Sequence, residues 1–96
     1  MGGEITLAWE QDSLSDRESI FEYLYLANPV AAEKTDNLIE LSAELLQANP
    51  EMGVSKKGWR GRCLILSEVP FNVYYDFDGG VVRIMRVLHQ KRQFPI

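Results

Sequence analysis

Phe71-Asn72-Val73-Tyr74-Tyr75-Asp76-Phe77-Asp78-Gly79-Gly80-Val81-Val82-Arg83-Ile84-Met85-Arg86-Val87-Leu88 is the stretch around which the chain organises itself. Two runs rich in β-branched and aromatic residues flank Asp78-Gly79, a pair that supplies the positive φ a tight hairpin turn needs. The reading is two antiparallel strands over 71–77 and 81–88. Residues 60–66 have the same character, and Ser67-Glu68-Val69-Pro70 is a turn that keeps Pro70 at a strand end, where no N–H is required. Alternation assigns Phe71, Val73, Tyr75 and Phe77 to the core and turns Asn72, Tyr74 and Asp76 outward. On the last strand it puts Arg83, Met85, Val87 and His89 on one side, with Val82, Ile84, Arg86 and Leu88 on the other.

Upstream the period changes. Residues 4–9 alternate as a first strand with Ile5, Leu7 and Trp9 on one side. Ser15-Asp16-Arg17-Glu18 has the form of a capping box, with Ser13 as an alternative cap, and opens a helix near 14–27 whose apolar positions are Ile20, Phe21, Leu24 and Ala27. Asn28-Pro29 then stops one helix and starts another, since the residue before proline avoids helical dihedrals while proline suits the first helical position. The second helix runs over 29–48, up to Asn49-Pro50. Ala31, Thr35, Leu38, Leu41, Ser42 and Leu45 are its inward stripe, and Glu33, Asp36, Glu40 and Glu44 face water. A break with so little linker implies a helical hairpin. The expected fold is therefore α+β: a β-α-α-β-β-β order, an antiparallel sheet covered on one face by the hairpin, with the first strand joining the sheet.

Ninety-six residues form one domain, 1–96. A composition of 46% hydrophobic and 25% charged residues argues against disorder and low-complexity chains. One cysteine excludes an internal disulfide, and one cysteine with one histidine excludes the usual zinc ligand sets. No apolar run approaches the roughly 18 residues that span a bilayer, and Met1-Gly2-Gly3-Glu4 lacks the pattern of a signal peptide, so the expected compartment is the cytosol, with no membrane partner. Charge is sorted along the chain. Residues 1–51 hold eleven acids and two bases (net −9), whereas residues 52–96 hold eight bases and three acids (net +5). That asymmetry points to an anion-seeking surface on the C-terminal half.

The candidates on it are Lys56, Lys57, Arg60, Arg62, Arg83, His89, Lys91 and Arg92. Guanidinium groups grip phosphate or carboxylate in a fork, and an imidazole titrates near neutrality. Arg83 and His89 share a face by alternation, with Arg86 turned away toward a sheet edge. Tyr74, Tyr75 and Trp59 either stack on a ligand or pack the core, and Cys63 reads as a small buried hydrophobe. The Gly79-Gly80 pair is a turn rather than a phosphate loop. No metal site or cofactor motif is present.

Several segments in this order resemble the ParE/RelE toxin superfamily. They are the strand with Trp9, Ile20-Phe21-Glu22-Tyr23, Asn28-Pro29-Val30-Ala31-Ala32, Asn49-Pro50-Glu51-Met52-Gly53, Gly61-Arg62, Pro70-Phe71-Asn72-Val73-Tyr74-Tyr75, and the ending from Arg86 to Pro95. The resemblance implies a small cytoplasmic bacterial toxin without cofactors, neutralised by a cognate antitoxin whose tail wraps it. It also implies one of two targets. RelE-like members cut messenger RNA on the ribosome, and ParE-like members poison DNA gyrase. The ribonuclease branch carries basic side chains at positions whose counterparts here are Cys63, Ile65 and Asn72, so the resemblance favours the ParE branch and a protein without catalytic chemistry. In the alternative reading, a ribosome-dependent endoribonuclease, His89 is the acid/base, Arg62, Lys56, Lys57 and Arg83 grip the RNA backbone, and Arg62, His89 and Lys91 are the different catalytic set that such an enzyme would use. A third reading is a member that retains antitoxin binding alone.

Overall fold

Asn28 ends one helix and begins the next. Its backbone N–H donates to Leu24 O at 2.8 Å, closing the first, while its side-chain oxygen accepts from the N–H groups of Val30 (3.1 Å) and Ala31 (3.2 Å), capping the second. In the computed structural model, which describes residues 4–92 and 94, the chain runs β1 (Thr6–Trp9), α1 (Gln11–Ala27), α2 (Pro29–Ala48), β2 (Val54–Lys56), β3 (Trp59–Ile65), β4 (Phe71–Asp78) and β5 (Val81–His89). Met1, Gly2 and Gly3 of the N-terminal reading and Gln93 and Pro95 of the closing motif lie outside the described residues.

The strands form one sheet in the order β1-β5-β4-β3-β2. From β5 to β2 it is antiparallel, as expected, but β1 pairs with β5 in parallel (Thr6↔Val81 to Trp9↔Ile84), so the sheet is mixed. β2 is an addition to the expected order; three residues are too few to show a period, and the strand exists because Gly58, at φ +82°, lets the chain reverse onto β3.

The helix α1 starts earlier than the sequence suggests and without the capping box. Glu10 N donates to Ile84 O (2.9 Å), so the β1–β5 ladder carries the chain directly into the helix, and Ser13 Oγ donates to Glu10 O (2.6 Å) rather than to a ligand or a distant cap. The stripe on α2 is rotated as well. Ala32, Thr35, Ile39, Ser42, Ala43 and Leu46 are buried, whereas Leu41 and Leu45 are exposed. Thr35 and Ser42 are where the sequence puts them, but Ile39 and Leu46 are fully buried in place of Leu38 and Leu45, and Ala32 and Ala43 join them, so the stripe is turned by about one residue.

Ile39, Ala43 and Leu46 pack against Phe71, Val73, Tyr75, Val82, Ile84 and Val87 to make the main core. The opposite face of the sheet is also covered, by a second cluster of Cys63, Tyr74 and Leu88 with Trp59 and Phe94. Both faces of β4 are therefore buried over Phe71–Tyr75, which overturns the outward placement of Tyr74, while Phe77 lies past the core and is 41% exposed. A bulge sets the phase of β5: Tyr74 pairs with Arg86 but Tyr75 with Ile84, leaving Met85 as the extra residue. Val82, Ile84, Val87 and His89 consequently share the helix side, and Arg83 and Arg86 the other.

Only Ser13 of α1 is fully buried; Ile20 packs against the main core, and polar contacts add to what holds this helix. Past the end of β1, the free edge of β5 is closed by Asp16, which accepts from Val87 N (2.9 Å) and from Arg86 Nε (2.7 Å) and a second guanidinium nitrogen (2.9 Å). The bond to Asp16 is the chief reason the Arg86 guanidinium holds its proton above the ordinary arginine value, against the cost of burial. Arg17 forks onto Asp36 of α2 (2.9 Å twice) and lies 4.6 Å from the Trp9 ring, joining α1 to its neighbours. At the other end of the molecule the buried Tyr75 hydroxyl donates to Pro50 O (2.7 Å) and accepts from Gly53 N (2.9 Å), fixing the α2–β2 loop.

Two outcomes follow from these ties. Asp16→Ala leaves Arg86 and the Val87 N–H without their acceptor and should lower the unfolding free energy by about 2–4 kcal/mol, read from urea denaturation; an unchanged midpoint would refute the role given to Asp16. Burial pushes the Tyr75 hydroxyl above its ordinary value of 10.0, against the opposing pull of the Gly53 N–H and Arg62. The folded state thus keeps this proton longer than the unfolded chain does, and stability falls as pH rises above about 10. Tyr75→Phe should cost about 1–2 kcal/mol at neutral pH yet show a shallower alkaline decline than the parent.

Candidate target-binding surface

The arginine and lysine candidates separate into those engaged by the fold, Arg62 and Arg83, which Arg86 joins, and those left exposed. Arg62 pairs across the sheet with Tyr75, and its guanidinium donates to Gly53 O (2.8 Å) and, at 3.4 Å, to Glu51 O. It braces the loop after α2. Arg83 reaches Glu10 at 3.4 Å, with both side chains about two-fifths exposed, and Arg86 is bound to Asp16. These three arginines serve the fold. Lys57, Arg60, Lys91 and Arg92 are exposed, and among the described residues none of them is in an ion pair. The side chain of Lys56 lies outside the described residues; its backbone ends β2 beside Lys57.

His89 is half-buried at the end of β5. Its ring meets Phe71 edge-on at 5.6 Å, and its Nδ1 accepts from Lys91 N at 3.1 Å. That bond fixes the imidazole at a strand terminus. The expected sharing of a face by Arg83 and His89 fails, because the bulge at Met85 inverts the alternation between them. Arg62 and His89 are no closer to acting together. Their β4 partners are Tyr75 and Phe71, four residues apart, which places the two backbones about 13 Å apart along the sheet and about 10 Å across it.

The feature that sequence reading missed is the strap after β5. Gln90 N donates to Pro70 O and Arg92 N to His89 O, turning the chain back. The Tyr74 hydroxyl then donates to Arg92 O (3.3 Å), and Phe94 sits edge-on to both Trp59 (5.4 Å) and Tyr74 (5.6 Å), with the Arg86 guanidinium 5.9 Å from its ring. Trp59 lies over Gly61, where any Cβ would collide with the indole. The strap thus crosses the face away from the helices and brings the segment carrying Arg92 to the strand that starts two residues after Lys57. Phe94, two residues after Arg92, lies against Trp59, two residues after Lys57. The signal was present as aromatic residues interleaved with bases at both sites, Lys57-Gly58-Trp59-Arg60 and Arg92-Gln93-Phe94.

Residues 7–94 match the family model described as the ParE toxin of the type II toxin–antitoxin system parDE. The chain belongs to the ParE toxin family. Among solved structures, it is similar to a chain described as the chromosomal ParDE toxin–antitoxin system from P. aeruginosa. The two are 24% identical, with a TM-score of 0.81 over 90% of this chain and 96% of the other, a likeness of fold. No curated protein matches the sequence. The α+β architecture expected from the resemblance is the one observed, and in this ParE-family chain no helix of the described residues is long and apolar enough to cross a membrane.

The strap is testable through its tightest contact. Gly61→Ala should lift the Trp59 indole off the sheet and loosen Phe94, at a cost of about 1–3 kcal/mol. In a Trp9→Phe background the indole emission should shift to the red; an unmoved spectrum would show that Trp59 does not depend on Gly61.

Proposed function

We propose that this ParE-family protein is the toxin of a type II toxin–antitoxin pair that inhibits DNA gyrase in the bacterial cytoplasm and is held inactive by a cognate antitoxin. Its contact with the target runs through Lys57, Arg60, Lys91 and Arg92, together with Lys56 on the same hairpin, and it makes and breaks no covalent bond. The observation that carries this reading is the state of the positions that ribonuclease chemistry would require. Cys63 and Asn72 are buried and Ile65 is an exposed aliphatic, so none can neutralise the charge that builds on a phosphate during cleavage. Arg62 directs its Nη1 at the carbonyls of Gly53 and Glu51, well away from His89. A surface of mobile lysine and arginine heads around an aromatic strap suits the docking of a large anionic assembly better than the positioning of one scissile bond.

The test places the purified protein with gyrase and relaxed plasmid, beside a translating-ribosome cleavage assay. The wild type should block supercoiling or trap cleaved DNA. Lys57→Glu combined with Arg92→Glu should weaken inhibition about tenfold or more, and His89→Ala should leave it within about twofold. Codon-positioned cuts in messenger RNA that vanish in His89→Ala would overturn the proposal in favour of the ribosome. Silence in both assays would leave only antitoxin binding.

A further inference from the structure

Helical spacing gives α1 two apolar sides. Ser13 and Ile20, seven residues apart, face inward, the first buried and the second packed on the main core. Leu14, Phe21 and Tyr25 fall on another side, with Glu18 and Glu22 among them, and that side is open. Leu14 is 42% exposed, Tyr25 49% and, at its end, Leu26 90%. The rings of Phe21 and Tyr25 stack at 5.6 Å. Two hollows of about 490 and 310 Å³ adjoin here and share Phe21 and Glu22; one reaches Leu14 and Asp36, the other Leu26. Together they form a trough along the helical hairpin about 18 Å long, the rise of α1 from Leu14 to Leu26.

Both walls of the trough are acidic. On α1 they are the exposed Glu18 and Glu22. On α2 Asp36 lines it, and exposed Glu33 and Glu40, three residues before and four after, share the same flank. The two helices contain only two bases. Arg17 is forked onto Asp36, with Glu40 close enough to act on the same guanidinium. Lys34 stands on the other flank of α2, at helical spacing from Leu38 and Leu41. An apolar floor thus lies between carboxylates that no free base offsets, while Lys91 and Arg92 belong to the strap on the other face of the sheet.

We infer that this trough receives an amphipathic helix of gyrase flanked by lysine or arginine, so that the toxin grips the protein of its target as well as the DNA. The choice of gyrase rests on the function proposed above; the chemistry of the occupant rests on the trough. Its length suits about three turns of a helix, with apolar side chains three and four residues apart on the floor and bases against the walls. DNA and acidic chains are repelled by those walls. A second copy of this chain offers helices with eight acids against two bases, which are repelled as well. An enzyme that holds DNA must present lysine and arginine beside it to neutralise the phosphates, so protein of the required charge lies where the strap meets DNA. Opposite charge on its two faces lets one small domain bridge the two materials, and such a bridge holds the enzyme on DNA.

Calorimetry of the full-length toxin with gyrase free of DNA separates this contact from the one made by the basic strap. The parent should bind, and added salt should weaken it. Glu18→Lys/Glu22→Lys should bind about tenfold or more weakly, and Tyr25→Ser about threefold or more. All three side chains are exposed, so the variants should melt near the parent. If the charge reversal unfolds the protein, Leu26→Lys, at the most exposed of these positions, gives the same readout. Folded variants that bind gyrase as the parent does would overturn the inference. So would a parent that blocks supercoiling yet binds gyrase only when DNA is present. Self-association that the substitutions abolish would assign the trough to a second copy, and loss of antitoxin binding with gyrase binding intact would assign it to the antitoxin; either result overturns it. A parent that neither blocks supercoiling nor binds gyrase in either form removes the target assignment itself, and this inference with it.

Discussion

The carboxylate of Asp16 is where the two halves of this molecule are tied together. It meets a sheet edge at the point where a strand gives way to a helix, and it answers the Val87 N–H and the Arg86 guanidinium there. Without such a group the edge of β5 would carry an unpaired amide, and α1 would be held only by Ile20 against the core and by its other polar ties, the Arg17–Asp36 fork foremost. A charged clasp of this kind is a demanding solution, since both partners must be stripped of most of their water and the geometry must be good. The forked, three-bond arrangement meets that demand. Arg17–Asp36 and Arg83–Glu10 repeat the device at weaker sites.

This places the sorted charges of the sequence in a different light. The acidic first half and basic second half do not form two independent surfaces, because Glu10 and Asp16 from the first draw in Arg83 and Arg86 from the second. Part of the apparent anion-seeking charge is consumed in folding. What is left is smaller and more localised: the β2–β3 hairpin and the strap that crosses beside it. The bulge at Met85 contributes, since it turns Arg86 to the same side as Tyr74 and leaves His89 with the core.

Elements with a strong local signal were legible in the sequence. Asn28-Pro29 marks the helix break to the residue, Asp78-Gly79 marks the hairpin, and the runs around them give the three long strands within a residue or two at each end. The start of α1 was not legible, because a ladder bond from Ile84 rather than a local cap sets it. The face of α2 is not legible because apolar residues stand on both stripes, Leu38, Leu41 and Leu45 beside Ile39, Ala43 and Leu46, and only packing on the sheet selects the second. Tyr74 was placed outside because alternation says which residues share a side and nothing of whether that side is covered; the cover comes from Phe94, twenty residues later. The parting of Arg83 from His89 follows from a single extra residue that no pattern announces.

The parallel pairing of β1 with β5 makes the first strand wait for the fifth. Thr6 has no sheet neighbour until Val81 arrives, and the hinge into α1 has no anchor until Ile84 does. A chain still emerging during synthesis can close its helical hairpin early, through contacts near in sequence, but its first strand remains unmatched until residues 81–84 have been added. Copies that stop before β5 are accordingly unfinished at the edge that locks the fold, so this ladder closes in a late step.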